Sequence, residues 1–165
     1  MIQKKICMLG SFSVGKTSLV RRFITSDFNE KYQTSIGVKV DKKIFRAGDQ
    51  DVTLVLWDIY GEDAFQKMQM SYLRGMSGYF MVADGTRRQT VDVALALEEK
   101  VAEAMGKIPF VFLLNKCDLV DQWEVDPEAE TKISKRGSAP LRTSAKTGEN
   151  VEEAFTRLAL AMLAK

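Results

Sequence analysis

Residues 2–25, IQKKICMLGSFSVGKTSLVRRFIT, decide the fold, because a strand pattern, a glycine-containing loop and a helical pattern follow one another directly. Gly10–Thr17 is a complete G-x-x-x-x-G-K-[ST] motif between a strand at Ile2–Leu9 and a helix at Lys16–Thr25, which is the context that the motif requires. Its glycines let the loop curl, so that successive backbone N–H groups form an anion nest at the start of the helix. We therefore expect a nucleotide site here.

Each residue of the loop has an expected task. The backbone N–H groups of Ser13, Val14 and Gly15 would donate to phosphate oxygens. The Lys16 ammonium group would reach the β- and γ-phosphates, and the Thr17 hydroxyl would ligate Mg²⁺. The loop thus predicts Mg²⁺ together with a nucleoside triphosphate.

The rest of the chain alternates strand and helix patterns. Four apolar runs have the length of buried strands. Two other runs, which are less apolar, predict an edge strand and a short sixth strand. The predicted strands are Ile2–Leu9, Val38–Ala47, Val52–Asp58, Gly78–Asp84, Pro109–Asn115 and Ala139–Thr143. Helical periods cover Lys16–Thr25, Thr90–Met105 and Val151–Lys165, with a weaker one in Asp121–Lys135.

Two local signals refine this pattern. Gly48-Asp49 predicts the turn that joins the edge strand to its neighbour in a hairpin. Asn150 followed by Glu153 predicts a capping box at the start of the last helix. Strand–helix alternation predicts a three-layer α/β fold, a mostly parallel six-stranded sheet with helices on both faces, and ligands at the carboxyl ends of the strands.

Composition restricts the class of protein. The 165 residues suffice for one α/β domain, so we expect a single domain over residues 1–165. Twenty-four Lys and Arg against 22 Asp and Glu leave a net charge of +2, which is too balanced to favour nucleic acid or an anionic membrane as a partner. The absence of histidine excludes a His-containing triad, a His general base and a His-bound metal.

Cellular context follows from the same residues. Cys7 and Cys117 lie on separate elements with apolar neighbours, which predicts two unpaired thiols in a reducing compartment. The sequence lacks the apolar segment of a signal peptide, any apolar run near the ~18 residues of a membrane span, and a C-terminal cysteine for prenylation. We expect a cytoplasmic protein that reaches membranes only through segments absent from this sequence.

The nucleotide base is predicted by Asn115-Lys116-Cys117-Asp118, which follows an apolar strand. The Asp118 carboxylate can accept hydrogen bonds from the N1–H and the exocyclic amine of guanine. Adenine would leave that buried carboxylate unpaired, and sites of this kind discriminate strongly. The motif therefore favours GTP and GDP over ATP.

With the phosphate and base motifs in place, the chain resembles the Ras superfamily of small GTPases. Its stretches WDIYGED, SYLRG, NKCD and TSAK are most similar to the Rab branch. The resemblance covers essentially the whole chain and implies a Ras-like fold, GTP or GDP with Mg²⁺, and slow hydrolysis in a monomer. It also implies exchange factors, GTPase-activating proteins and effectors that bind through switch I (about residues 28–38) and switch II (about residues 58–74).

The resemblance assigns further residues around the base. Ser144, Ala145 and Lys146 are similar to the family's second base-binding loop, with the Ala145 N–H at the guanine oxygen. Phe28 matches the aromatic residue that covers the base, and Ser18 would meet the α-phosphate.

The resemblance also assigns residues around the metal and the γ-phosphate. Ser35 occupies the switch I position that ligates Mg²⁺, where the family normally has Thr, and Thr34 next to it is an alternative. Asp58 and Gly61 match D-x-x-G, in which the Asp holds the magnesium through a bound water and the Gly N–H donates to the γ-phosphate.

Departures from the family pattern concern hydrolysis. Lys16, Gly61 and Glu62 occupy the catalytic positions, but the family normally has Gln where Glu62 stands. A carboxylate offers no hydrogen bond to the transition state and adds negative charge beside the phosphate. Phe12 replaces a small residue of the loop and would crowd both the attacking water and an arginine finger. These changes predict weak hydrolysis and leave an alternative open, a constitutively GTP-bound module that scaffolds partners.

Partner binding is expected near a pair of aromatic residues. Trp57 and Tyr72 resemble two members of the aromatic triad that displays the nucleotide state in Rab proteins. The third member, normally Phe, is Val40 in this chain.

Overall fold

A computed structural model of the chain describes residues 2–11, 13–25, 37–60 and 69–164. In this part of the chain, the strands are β1 (Ile2–Gly10), β2 (Gly37–Ala47), β3 (Gln50–Tyr60), β4 (Gly78–Asp84), β5 (Phe110–Asn115) and β6 (Leu141–Arg142). The α-helices are α1 (Lys16–Thr25), α2 (Gln69–Tyr72), α3 (Arg88–Met105), α4 (Pro127–Ser134) and α5 (Val151–Leu163). One 3₁₀ turn covers Val120–Gln122.

The strands form one sheet in the order β2-β3-β1-β4-β5-β6. Only the β2–β3 pair is antiparallel among the described strands, and the other neighbours are parallel. The expected six-stranded, mostly parallel sheet is therefore confirmed. Since parallel strands end at the same edge of the sheet, β1, β3, β4 and β5 deliver their last residues to one region.

Two apolar cores lie on the two faces of the sheet. Helices α1 and α5 cover one face, and α3 and α4 cover the other. In the first core the Phe155 ring stacks on Phe23 with centroids 3.6 Å apart and meets the edge of Phe80 at 4.7 Å. The periodic apolar positions predicted for α5 are all buried, namely Val151, Ala154, Phe155, Leu158 and Met162.

The predicted hairpin is present. Ala47 pairs with Gln50 across Gly48-Asp49, and the pairing continues along both strands to Gly37 and Tyr60. Gly48 has a φ of +62°, a conformation that glycine adopts without the penalty that a Cβ brings. The hairpin places β2 at the edge of the sheet, as its polar sequence predicts.

The predicted capping box at the last helix is wrong. Asn150 has a left-handed backbone, with φ of +58°, and its side chain makes no cap hydrogen bond. That side chain instead donates to the Arg142 carbonyl at 2.8 Å, which ties the start of α5 to β6. A side chain engaged there is not available to cap the helix.

Several boundaries also differ from the sequence prediction. The helix expected within Asp121–Lys135 is limited to α4, and Asp126 caps it by accepting from the Ala129 N–H at 2.8 Å. The last strand contains only Leu141–Arg142, and the four-residue helix α2 was not predicted. Short elements of this kind carry too few residues to show a period.

Two further observations concern the cysteines and the helices of the described residues. Cys7 and Cys117 are both free, and burial raises the pKa of the Cys7 thiol to about 12, so it stays protonated. None of the described helices is both long and apolar enough to cross a membrane.

The stacked phenylalanines make a testable prediction. Phe155→Ala should lower the free energy of unfolding by about 3–5 kcal/mol, because it removes a fully buried ring with two aromatic partners. Leu160→Ala on the same helix, at a side chain that is 46% exposed, should cost less than about 1 kcal/mol. Urea unfolding of both variants at one fixed GDP concentration measures the difference. Equal losses would show that the Phe155 ring does not anchor this core.

Candidate nucleotide-binding site

The site begins where parallel strands end. Gly10 is in register with Val82, and Asp84 is in register with Asn115, so β1, β4 and β5 finish side by side. The loops that follow these strands contain the phosphate motif and the base motif. The topology thus brings together residues that are more than a hundred positions apart.

The phosphate loop passes so close to its neighbours that two of its positions require glycine. A Cβ on Gly10 would lie 2.2 Å from the Val82 carbonyl oxygen. A Cβ on Gly15 would lie 2.2 Å from Nδ2 of Asn115, and Gly15 also has a φ of +102°. The two glycines of the motif are therefore fixed by backbone conformation and by space.

The loop's lysine lies across the loop. The Lys16 ammonium group donates to the carbonyl oxygens of Gly10 at 2.7 Å and Ser11 at 3.2 Å. These contacts place a positive charge against the backbone of the phosphate loop. Phe12, the residue expected to crowd this region, lies outside the described residues.

A hydroxyl and a carboxylate meet beside this lysine. The Thr17 hydroxyl donates to Oδ2 of Asp58 at 2.5 Å, and Asp58 is only 1% exposed. Among the described residues nothing hydrogen-bonds the buried Oδ1 of Asp58. Burial raises the pKa of Asp58, while the Thr17 hydrogen bond and the Lys16 charge lower it.

This oxygen pair has the chemistry of a magnesium site. Mg²⁺ prefers oxygen ligands and is usually held by one or two carboxylates together with substrate phosphates. The described residues contain no cluster of three or more Cys, Asp or Glu side chains that could form an all-protein cage. A single buried carboxylate with an unsatisfied oxygen beside a hydroxyl fits Mg²⁺ bound jointly with a nucleotide.

The base motif is braced against the phosphate loop. The Asn115 amide donates to the Val14 carbonyl at 2.9 Å and accepts from the Thr143 hydroxyl at 3.2 Å. The Lys116 ammonium group donates to the Ser13 carbonyl at 3.2 Å. The motif therefore touches the phosphate loop directly.

The second predicted base loop lies beside the first. The Ser144 hydroxyl donates to Oδ1 of Asp118 at 2.8 Å and accepts from the Thr147 N–H at 3.1 Å. Arg22 on α1 donates from Nε to the Ala145 carbonyl at 2.9 Å and from its terminal nitrogen to the Lys146 carbonyl. These contacts fix the loop backbone and orient one oxygen of Asp118.

Asp84 belongs to this edge but was not singled out from the sequence. Its buried carboxylate accepts from Lys116 Nζ at 2.9 Å, from Arg87 Nε at 3.0 Å, and from the N–H and hydroxyl of Thr86 at 2.8 and 2.6 Å. Burial alone would raise the pKa of Asp84, but these hydrogen bonds outweigh it and hold the pKa below its ordinary value. The available signal was an Asp that ends an otherwise apolar strand and is followed by Thr86 and two arginines.

The described residues include most of the predicted site. The structure brings together Lys16, Thr17 and Asp58 at one place, and Asn115, Lys116, Asp118, Ser144 and Ala145 at another. Ser18 lies in the first turn of α1, and the Lys146 side chain is exposed. Four predicted residues lie outside the described residues, namely Phe28, Ser35, Gly61 and Glu62.

Comparison with known proteins decides the family. A model of the Ras family matches residues 5–164. The chain belongs to the Ras family. It is also 34% identical over 154 residues to the Ras-related protein Rab11A of Lotus japonicus, an alignment that covers 92% of this chain and 68% of that protein. The chain is thus a Rab-like small GTPase, and the Ras family consists in general of GTP-binding hydrolases.

The aromatic pair expected in a Rab-like chain is formed. The Trp57 and Tyr72 rings lie with centroids 6.3 Å apart, and the Lys5 ammonium group lies 3.7 Å from the Trp57 centroid. Val40, opposite Trp57 in the β2–β3 pair, is 45% exposed. The three positions therefore lie close together on the hairpin and α2.

The contact between Gly15 and Asn115 predicts a strong effect on nucleotide binding. Gly15→Ala should abolish GDP retention, because the new Cβ would displace Asn115 from the Val14 carbonyl. Gly106→Ala is the matched control, since Gly106 also has a left-handed φ, of +79°, but has open space around it. That change should cost about 1–2 kcal/mol of stability and leave GDP binding intact. Isothermal titration with GDP tests both, and normal affinity in Gly15→Ala would contradict the geometry.

Proposed function

We propose that this chain is a molecular switch that binds GTP and GDP with Mg²⁺ and signals through switch I (about 28–38) and switch II (about 58–74). The observation that carries the proposal is the contact between the Thr17 hydroxyl and the buried Asp58 carboxylate beside Lys16. This cluster lies on the same sheet edge as Asp118. Phosphate, metal and base would thus be held at the same end of the sheet.

The proposed phosphate binding rests on the hydrogen-bond acceptors available to Lys16. Lys16 donates to two neutral carbonyls, and phosphate oxygens would be stronger acceptors because their hydrogen bonds are charge-assisted. The N–H groups of Ser13, Val14, Gly15 and Ser18 would surround the phosphates. Thr17, Ser35 and Asp58 would hold Mg²⁺, which when bound neutralises charge on the β- and γ-phosphates.

The base half of the proposal rests on Asp118. Ser144 occupies one side of this carboxylate, which holds it in place to accept from guanine N1–H and the exocyclic amine. The Ala145 N–H would donate to the guanine oxygen, and Phe28, Lys116 and Lys146 would enclose the ring. A purine without those donors would leave the carboxylate unpaired.

Base selectivity is directly testable. We expect GDP to bind far more tightly than ADP, and Asp118→Asn to shift preference from guanine toward xanthine nucleotides, whose 2-oxo group accepts from the new amide. Asp121→Asn makes the same chemical change at an exposed residue nearby and should leave selectivity unchanged. Competition titrations with GDP, XDP and ADP measure all three proteins. Equal affinity of the wild type for ADP and GDP would refute the guanine assignment.

Partners would recognise the switches through the surface around Trp57 and Tyr72. Trp57 lies on β3 directly before the residues proposed as switch II, and Tyr72 lies within them on α2, so a conformational change in switch II would alter the surface that a partner meets. We propose exchange factors, GTPase-activating proteins and effectors as the partner classes. At the third position of the triad, Val40 presents an exposed apolar side chain that is smaller than the usual aromatic residue.

Hydrolysis is proposed to be weak. In this scheme Lys16 stabilises charge on the transferring phosphate, and the Gly61 N–H donates to the γ-phosphate. Glu62 stands where a Gln would align water and donate to the developing charge, and it adds repulsion instead. Phe12 would fill the space that an arginine finger enters.

A single-turnover assay on preloaded GTP tests this. Ras itself hydrolyses GTP unaided at about 3–5 × 10⁻⁴ s⁻¹, and an arginine finger adds about 10⁵-fold. We expect this chain to be at or below that unaided rate, Glu62→Gln to raise it modestly, and Phe12→Gly with Glu62→Gln to raise it further. An unaided wild-type rate well above the Ras range would refute the role given to Glu62. A complete lack of turnover would favour the scaffold alternative.

A further inference from the structure

Two residues of the candidate nucleotide site have left-handed backbone conformations, which are unfavourable for residues with a Cβ. Ser13 has a φ of +62° and Lys116 a φ of +69°, and only one other non-glycine residue in the described ranges, Asn150, is left-handed. A residue with a Cβ adopts this region at a cost, so surrounding contacts must hold it there. Both residues belong to the loops that would contact nucleotide.

The contacts that hold Ser13 converge on its carbonyl oxygen. Lys116 Nζ donates to it at 3.2 Å, and Arg87 Nη2 donates at 3.0 Å. Both cations also bind Oδ2 of Asp84, Lys116 at 2.9 Å and Arg87 Nε at 3.0 Å. The planar guanidinium group of Arg87 thus bridges the phosphate loop and the end of β4 with two of its nitrogens.

The anchor of this arrangement, the Asp84 carboxylate, is buried and fully hydrogen-bonded. The Asp84 carboxylate is 1% exposed, and its other oxygen accepts both donors of Thr86. The Trp123 ring lies over the next residue so closely that a Cβ on Gly85 would be 2.0 Å from it. Removing a partner from a buried ion pair is costly, so this carboxylate favours keeping both cations beside it.

We propose that Asp84 and Arg87 are positioning residues for nucleotide retention: they clamp Ser13 in its left-handed conformation, so that the phosphate loop keeps its N–H groups inward. The proposal rests on the proposed guanine-nucleotide function. Arg87 is 38% exposed and reaches the phosphate loop at the Ser13 carbonyl, so it acts on the nucleotide through Ser13. The base motif takes part because Lys116 shares both acceptors with Arg87.

The test is the release rate of a fluorescent GDP analogue, chased with excess GDP. Arg87→Met keeps the length of the stem but removes every donor, and we expect it to speed release by about threefold to tenfold. Arg88→Met is the matched control, because the neighbouring Arg88 pairs with Asp126 at 3.4 Å instead of with the phosphate loop. It should change release by less than about twofold.

A second background separates positioning from a general structural effect. Glycine adopts a φ of +62° without the Cβ penalty, so a Ser13→Gly loop needs the clamp much less. In that background Arg87→Met should speed release by less than about twofold. A merely structural role of Arg87 would accelerate release equally in both backgrounds, and this result would overturn the proposal.

The remaining outcomes are also decisive. Release from Arg87→Met at the wild-type rate would overturn the clamp while leaving the guanine-nucleotide function intact. Failure of the wild type to retain the GDP analogue would instead refute the proposed function itself. The two failures are thus distinguished in one experiment.

Discussion

The side-chain amide of Asn115 is the contact on which the arrangement of the site depends. It is 1% exposed, donates to the Val14 carbonyl in the phosphate loop, and accepts from Thr143 at the start of the second base loop. Leaving a buried amide unpaired costs about 1–3 kcal/mol. This cost stabilises the contacts of Asn115 with both loops. The amide occupies the space that a Cβ on residue 15 would need, so only glycine fits there. Three segments distant in sequence are therefore fixed relative to one another by one buried side chain.

Around this point three aspartates have different chemistry because their hydrogen-bond partners differ. Both oxygens of Asp84 are engaged by donors, which makes it an anchor with a lowered pKa. Asp58 has one oxygen bound by Thr17 and one without a described partner, which leaves it open to a hard cation. Asp118 is oriented through a single oxygen by Ser144. Asp58 and Asp84 are equally buried, so burial does not distinguish them. The number of carboxylate oxygens that already accept hydrogen bonds does distinguish them, and it separates a structural anchor from a candidate ligand.

The sequence predicted the parts of this molecule that have strong local patterns. Gly78–Asp84 and Lys16–Thr25 were predicted residue for residue, because a continuous apolar run and a helical period extend over their whole length. Asn150 was misassigned because its preference for helix starts was overruled by a tertiary bond to Arg142. Glu98 is buried on α3 and paired with Arg136, and no local pattern indicates a partner 38 positions away.

The candidate site divides along the same line. The spacing of residues in the sequence was enough to identify the phosphate and base motifs, because a loop that wraps around phosphate needs its glycines and lysine at fixed intervals. Spacing did not indicate that Asp84 joins the two motifs, because an Asp at a strand end is common and its meaning depends on cations delivered by other loops. The assignments of Phe28, Ser35, Gly61 and Glu62 remain predictions from resemblance.

Binding and hydrolysis therefore depend on different kinds of structure in this chain. The groups proposed to bind nucleotide lie on loops that are joined to one another by hydrogen bonds, where changing one residue disturbs several contacts. In the scheme above, the residues that depart from the family pattern, Phe12 and Glu62, act on the attacking water, on the space for an arginine finger and on the transition-state charge. In that scheme, a substitution at these positions would alter the barrier to hydrolysis. A Rab-like GTPase fold is thus physically compatible with tight nucleotide binding and slow turnover in one chain.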